Sequence, residues 1–386
     1  MGACAAGAGG RPGYHAPWHR ESGPMAEVVS WDTASQVARR VASRQPQLSR
    51  YERRLLEADF AELTAQAEEL VTAETGLQSL AGPARAMVVD RSEWVDANVA
   101  SFQRLLRPVT DKLGERLDRS PRRGLGLPRV SRLLSGAEVG AVLGWMSTRV
   151  LGQYDQLLIE EERPEDQDMV YYVGPNIVSL ERKYGFPPRE FRLWLALHEV
   201  THRAQFTGVP WMRGHFLSLV ERTLAGIDPD PKQILEALRR TAAAIRSGNN
   251  PLDEGGLVTL IASPEQYQAI QEIGGLMSLL EGHGDITMDR AGAERIPSAQ
   301  RFSSVLRERR QLRGLSKILS MVIGLDAKLR QYEQGERFIE AVEGAGGKGL
   351  LAKVWEGPGW LPSWTEIRDP QSWISRATAA PPLALG

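Results

Sequence analysis

Hydrophobic positions along most of the chain recur every three or four residues, the period of an α-helix. Between residues 51 and 77, Leu, Phe and Val alternate in this way with many Glu and Ala, which is typical of a long amphipathic helix. Ser30 and Asp32 offer caps for a helix over SWDTASQVARRVA. The chain is therefore predicted to be mainly α. Further helices are predicted over 92–106, 109–117, 136–153, 214–224, 231–247, 264–290, 299–313 and 315–344.

The best candidate for a β-strand is Met169–Val173, within DMVYYVGPNIV, because it is rich in β-branched and aromatic residues. The fold is thus expected to contain at most a small β element. Pro187 and Pro188 follow shortly after this segment and predict the start of a helix, since proline is tolerated in a first helical turn. A Pro-Trp turn at Pro210 predicts its end.

The pattern predicts one helical domain over residues 29–375. A basic Gly/Pro loop, RSPRRGLGLPR, indicates a subdomain break near 119–133. The Gly/Ala-rich residues 1–28 are expected to form a disordered leader, with Met25 as an alternative start, and residues 376–386 a frayed tail.

Composition narrows the class of protein. The chain has 386 residues, 42% of them apolar and 25% charged, which is typical of a globular protein with a large core. A formal net charge of -1 argues against a nucleic-acid binder, which usually carries a basic surplus. One cysteine excludes an intrachain disulfide framework and favours a cytoplasmic location. The sequence contains no run of about 18 apolar residues, so it predicts no membrane span.

The segment LALHEVTHRAQF carries the candidate chemistry. His198 and His202 are four residues apart, so on a helix they lie on one face and can direct imidazole nitrogens at one point. Zn²⁺ is commonly held in this way, with positions left for a third protein ligand and a water molecule. With six histidines in the chain, HExxH would arise by chance in about one such sequence in a hundred.

Glu199 is predicted to be the general base. It lies about 100° around the helix from His198, too far to share the metal well but well placed to deprotonate a metal-activated water. The helix is apolar on its other faces, which indicates that it is buried. Buried histidines and a buried glutamate need partners, and a metal would provide one for all three.

The third ligand determines the subclass. A metzincin would need Gly at 205 and His at 208, but the sequence has Gln205 and Gly208. Further along, SLLEGHGDITMDR places Glu281 and Asp285 four residues apart. This looks like the ExxxD of gluzincins, in which the Glu is the third ligand and the Asp orients a ligating histidine.

His283 is the alternative metal ligand. It lies about 200° from Glu281 on an ideal helix, so only one of the two can face the metal. Glu281 is preferred. The two flanking glycines, Gly282 and Gly284, are costly in a helix and are expected to allow close approach to the HEVTH helix.

Several blocks, in order, resemble a family of actinobacterial and chloroflexal proteins known as zincin-like metallopeptidases, or as coenzyme F420 biosynthesis-associated proteins. They are VGPNIV, FRLWLALHEVTHRAQFTGVPWMRGH, SLLEGHGDITMD and GLDAKLRQYEQGERFIEAV. The resemblance implies a mainly helical zincin-like domain, zinc held by His198 and His202, and Glu199 as the acid/base. It implies no substrate.

Three other positions are candidates for supporting roles. His215 could stabilise an oxyanion, as a histidine does in thermolysin-like enzymes, although a packing role is equally compatible with its position near a turn. Tyr171 and Tyr172 lie in the predicted strand, and zincins commonly hold an extended substrate on an edge strand before the metal helix. Either tyrosine could reach the site, but core packing is the expected role of one of them. Arg203 is expected to form a salt bridge with a nearby acid.

Two hypotheses follow from the sequence. The first is a zinc-dependent hydrolase, a metallopeptidase acting on a peptide or small amide, with no nucleic-acid or membrane partner. The second is a zinc-binding accessory protein with little hydrolytic activity, linked to coenzyme F420 metabolism. Glu199 favours the first, because a purely structural metal site would not need it.

Overall fold

The computed structural model describes residues 29–119, 129–154, 168–225, 239, 264–310 and 333–379, and the statements below concern these residues. They form a mainly helical fold with one small sheet, which confirms the predicted fold class. The helices are α1 (Trp31–Ala42), α2 (Arg50–Thr75), α3 (Arg91–Arg119), α4 (Arg129–Ser147), α5 (Gly174–Tyr184), α6 (Pro188–Thr207), α7 (Met212–Ala225), α8 (Pro264–Gly292), α9 (Ala299–Arg310), α10 (Glu333–Ala352), α11 (Trp364–Arg368) and α12 (Pro370–Ala379).

The sheet has three strands in the order β1 (Arg85–Val89), β3 (Met169–Val173), β2 (Gly152–Tyr154). β1 pairs with β3 in parallel, and β2 pairs with β3 antiparallel. β3 coincides with the predicted strand, but it is the central strand. The expectation that its tyrosines lie on a substrate-holding edge is therefore wrong, and within the described part of the chain β2 has the free edge near the HEVTH helix.

Tyr172 belongs to the core, which confirms the packing role expected for one of the two tyrosines. Its ring stacks on Phe60 with centroids 3.8 Å apart, and its hydroxyl lies 2.9 Å from the Thr64 hydroxyl. Burial raises the pKa of the Tyr172 phenol above its ordinary value. The residue anchors the central strand to α2.

The chain leaves helix α4 earlier than predicted. The helical pattern indicated residues 136–153, but α4 ends at Ser147 and Gln153 lies in β2. The Asn176 side chain explains the change, because its Nδ2 donates to the carbonyls of Ser147 at 2.8 Å and Val150 at 2.6 Å. These bonds satisfy carbonyl groups that would otherwise require another helical turn.

Other predicted boundaries also differ. The helices expected over 92–106 and 109–117 are one helix, α3, because Pro108 removes one backbone hydrogen bond without ending a long packed helix. Helix α12 continues to Ala379, past the expected start of a tail at 376. The leader, most of the expected break near 119–133, most of the helix over 231–247 and the start of the helix over 315–344 lie outside the described residues.

Helix α6 runs through the middle of the core and carries HEVTH. Every residue from Phe191 to Phe206 is buried, as the sequence predicted for a helix apolar on several faces. Two of its arginines are buried within ion-pair clusters. Arg192 donates to Asp59 and Glu181, which ties α6 to α2 and α5. No helix in the described part of the chain is both long and apolar enough to cross a membrane.

Arg203 confirms the expected salt bridge. Its guanidinium donates to Asp168 Oδ2 at 2.9 Å through Nε, to Glu68 Oε1 at 2.6 Å and to the Gly82 carbonyl at 2.6 Å. Asp168, directly before β3, has a φ of 59°, an uncommon backbone conformation for a non-glycine residue. The arginine thus fixes the entry to the central strand against α2 and α6.

Replacing Arg203 with Met should lower the free energy of unfolding by about 3–5 kcal/mol, because the buried Asp168 carboxylate loses its cation. Denaturant unfolding of the two proteins measures the change. Arg39→Met is a matched control, since Arg39 pairs with Asp96 at an exposed site and should contribute about 1 kcal/mol or less. Equal effects of the two substitutions would contradict the role assigned to the Arg203 cluster.

Candidate metal centre

Two helices bring three candidate ligands together. His198 and His202 project from α6 and Glu281 from α8, and one potential ligand atom of each lies within 4.8 Å of the others. The two histidine Nε2 atoms are 3.2 Å apart, and His202 Nε2 is 3.9 Å from Glu281 Oε2. Both histidines are buried and the glutamate is nearly so. The structure therefore places Glu281, rather than His283, beside the histidine pair.

The donor set fits zinc. Two nitrogens bound to a tetrahedral Zn²⁺ at the usual bond length lie about 3.4 Å apart, close to the separation of the two Nε2 atoms. His202 Nδ1 faces the side-chain oxygen of Gln205 at 3.0 Å. Because that oxygen can only accept, the proton of a neutral His202 ring lies on Nδ1 and Nε2 presents a lone pair. The unprotonated Nε2 of His202 thus faces the imidazole of His198 and the carboxylate of Glu281. A cation bound between these groups would stabilise this arrangement.

Glu199 lies beside the edge strand β2. Its Oε2 accepts a hydrogen bond from the Tyr154 backbone N–H at 3.2 Å. An added Cβ at Gly152 would lie 2.7 Å from both Cγ and Oε1 of Glu199. Only glycine leaves space for the carboxylate at this point of the strand. This contact could not be predicted from the sequence, because Gly152 and Gln153 were predicted to be helical.

His283 is turned toward different partners. Its Nδ1 is 3.0 Å from Gln205 Nε2, and its ring meets the Trp355 ring edge to face with centroids 5.0 Å apart. Burial, followed by the neighbouring charge of His202, lowers the pKa of His283 to about 4. A histidine held neutral in this way is a hydrogen-bond acceptor for Gln205.

The two glycines that flank His283 have different neighbours. An added Cβ at Gly284 would lie 3.4 Å from His202 Cε1 and 3.8 Å from His198 Nδ1, so this glycine does face the HEVTH helix as expected. For Gly282 the expectation is wrong, because its added Cβ would lie 2.4 Å from the backbone of Gly335. Gly282 instead allows α10 to cross α8 at van der Waals distance.

The remaining two candidates are placed as follows. Asp285 is buried one helical turn after Glu281, while the Nδ1 of His202 is held by Gln205. His215 is half-buried, and its ring packs edge to face on Trp211 with centroids 5.9 Å apart. Burial lowers the pKa of His215, and its charged neighbours are Glu272 and Arg222. His215 therefore lies where α7 packs against α8. Among the described residues, no contact of its ring with the three candidate metal ligands is seen.

A buried HExxH helix that meets a carboxylate from a second helix defines the class of the protein as zincin-like. The chain belongs to the zincin-like metallopeptidase family, whose model matches residues 29–374. A solved structure from Chloroflexus aurantiacus, described as "a putative hydrolase with a novel fold", is 31% identical with a TM-score of 0.69, over 92% of this chain and 100% of that one. Curated proteins give no match. At the level of the family, these likenesses support a zinc hydrolase.

Proposed function

We propose that the protein is a zinc-dependent metallopeptidase in which His198, His202 and Glu281 hold the metal and Glu199 is the general base. The observation that carries the proposal is the convergence of two imidazole nitrogens and a carboxylate within 4.8 Å, in a buried position. Burying these groups without a cation would be costly.

The single cysteine also supports a reducing compartment such as the cytoplasm.

Bound zinc would supply a Lewis acid that polarises a scissile carbonyl and favours water as a nucleophile at neutral pH. Glu199 would take the proton of the attacking water and pass it to the leaving amine. The Tyr154 N–H donates to Glu199 Oε2 and so holds the carboxylate beside β2. Since Gln205 already orients His202, we assign Asp285 to His198, whose Nδ1 lies on the side of Gly284.

The edge strand supports a peptide or small amide as substrate. The Val173 N–H donates to the Leu151 carbonyl at 2.8 Å. In an antiparallel pair the backbone groups of alternate residues point to opposite sides, so those of Gly152 and Tyr154 face away from β3. One of them already contacts Glu199. An extended chain paired with this edge would pass the proposed base.

The metal content of the purified protein tests the proposal. We expect one zinc per chain, measured by atomic emission, and its loss in His202→Ala. Glu281→Ala should also lose zinc, whereas His283→Ala should retain it, because its ring faces Gln205 and Trp355. Wild-type protein without zinc would refute the metal centre. Zinc without turnover of any member of a peptide library would favour the accessory protein linked to F420 metabolism.

A further inference from the structure

We infer that Gln205 is a positioning residue of the metal centre, which fixes the tautomer and ring orientation of His202 and couples the two helices that supply ligands. The inference rests on the proposed zinc site and adds a residue that touches no metal. Gln205 follows His202 by three positions on α6, so both side chains lie on one face of the helix. It is fully buried.

The direction of the Gln205 amide is fixed by a backbone carbonyl. The Leu280 carbonyl lies 3.0 Å from one end of the amide, and a carbonyl can only accept, so that end is the Nε2 donor. The other end is therefore the oxygen, which lies 3.0 Å from His202 Nδ1. The proton of the His202 ring is consequently held on Nδ1, and Nε2 is left as the ligand atom.

The second hydrogen of the amide has its own acceptor. His283 Nδ1 lies 3.0 Å from Gln205 Nε2, and because an amide nitrogen can only donate, His283 Nδ1 is the acceptor of this bond. Both hydrogens and the oxygen of the amide are thus engaged. A fully satisfied buried amide has one orientation, since rotating it by 180° would face donors with donors and acceptors with acceptors.

The acceptors of Gln205 flank the third ligand along the chain. Leu280 directly precedes Glu281, and His283 follows it by two residues, all on α8. The amide therefore connects the helix of the two histidines to the segment that carries the carboxylate. The Gln205 side chain therefore determines both the orientation of the His202 ring and the separation of α6 from α8 at the metal centre.

Zinc affinity tests the inference. Met has nearly the shape of Gln but cannot replace its hydrogen bonds, so Gln205→Met should weaken zinc binding by about 10–100-fold. The measurement is competition for zinc with a chromophoric chelator, using apo-protein whose circular dichroism matches that of apo wild type. Gln268→Met is the control. Gln268 is an exposed glutamine on α8 whose Nε2 donates to Glu272, away from the three proposed ligands, so zinc affinity should change less than about threefold.

The outcomes separate this inference from the zinc site itself. A folded Gln205→Met that binds zinc within threefold of wild type would overturn the role of Gln205 and leave the proposed function standing. If the wild-type protein binds no zinc, both the proposed zinc site and the role of Gln205 are wrong. If Gln205→Met does not fold, Gln205→Asn decides. Its amide is one methylene shorter and cannot reach His202 and Leu280 together, so wild-type affinity in that variant would equally overturn the inference, and about tenfold weaker binding would support it.

Discussion

Glu199→Gln should lower the rate of peptide hydrolysis by about 10²–10⁴-fold, the usual contribution of a general base. Gln has the size of Glu and can still accept from the Tyr154 N–H through its side-chain oxygen, so the strand and helix should keep their positions. An amide cannot take a proton from water near neutral pH. The variant should therefore retain zinc while losing turnover, because Glu199 is not one of the three converging ligands.

The measurement is the hydrolysis rate of a quenched fluorescent peptide that wild type cleaves, with zinc content determined on the same samples. Glu62→Gln is a suitable control, since Glu62 is an exposed glutamate that pairs with Arg189 on the surface. It should leave both quantities unchanged. Turnover by zinc-loaded Glu199→Gln within tenfold of wild type would remove Glu199 from the role of base.

Gly152→Ala should lower the hydrolysis rate by about 100-fold or more, although Gly152 is neither a ligand nor a base. The added methyl carbon would lie 2.7–2.8 Å from three atoms of the Glu199 side chain, closer than carbon atoms in proteins pack. Either the carboxylate or β2 must move. A displacement of about 1 Å in a catalytic group can cost on the order of 10²-fold in rate.

Zinc content separates this effect from loss of the metal. Gly152→Ala should bind zinc like wild type, because the three atoms nearest to the added carbon all belong to Glu199, which is not one of the three candidate ligands. Gly214→Ala provides a matched control, since an added Cβ at that position has nothing within 4 Å. Full activity in Gly152→Ala would show that the close contact does not constrain Glu199 in the working protein.

The sequence predicted those parts of the site that depend on spacing within one helix. His198 and His202 converge because four residues make about one helical turn. Glu281 and His283 cannot both face the same point, and the ExxxD spacing of Glu281 and Asp285 favoured Glu281. The burial of α6 followed from its apolar residues on several faces. These features are local, and a single sequence is sufficient to infer them.

The parts that were missed depend on contacts between distant segments. β2 was predicted as the end of a helix. The carbonyl groups of Ser147 and Val150, where the chain leaves α4, accept hydrogen bonds from Asn176, which lies in another helix and could not be paired with them from the sequence. The sequence alone shows Gln205 only as a departure from the metzincin pattern, since two of its partners lie 75 and 78 residues further along the chain. Gly282 was assigned to the wrong neighbour because helical periodicity does not reveal which helix packs on each face.

The contact between Gly282 and Gly335 has a consequence for biosynthesis. All three proposed ligands are present once the ribosome has passed Glu281, but the helix that packs behind that segment begins at Glu333, and Trp355, which covers His283, follows later. A nascent chain of about 300 residues thus contains all three proposed ligands but neither α10 nor Trp355, which pack against the segment that carries Glu281. We expect the mature metal centre to be a late product of translation, so that incomplete chains carry no competent hydrolytic site.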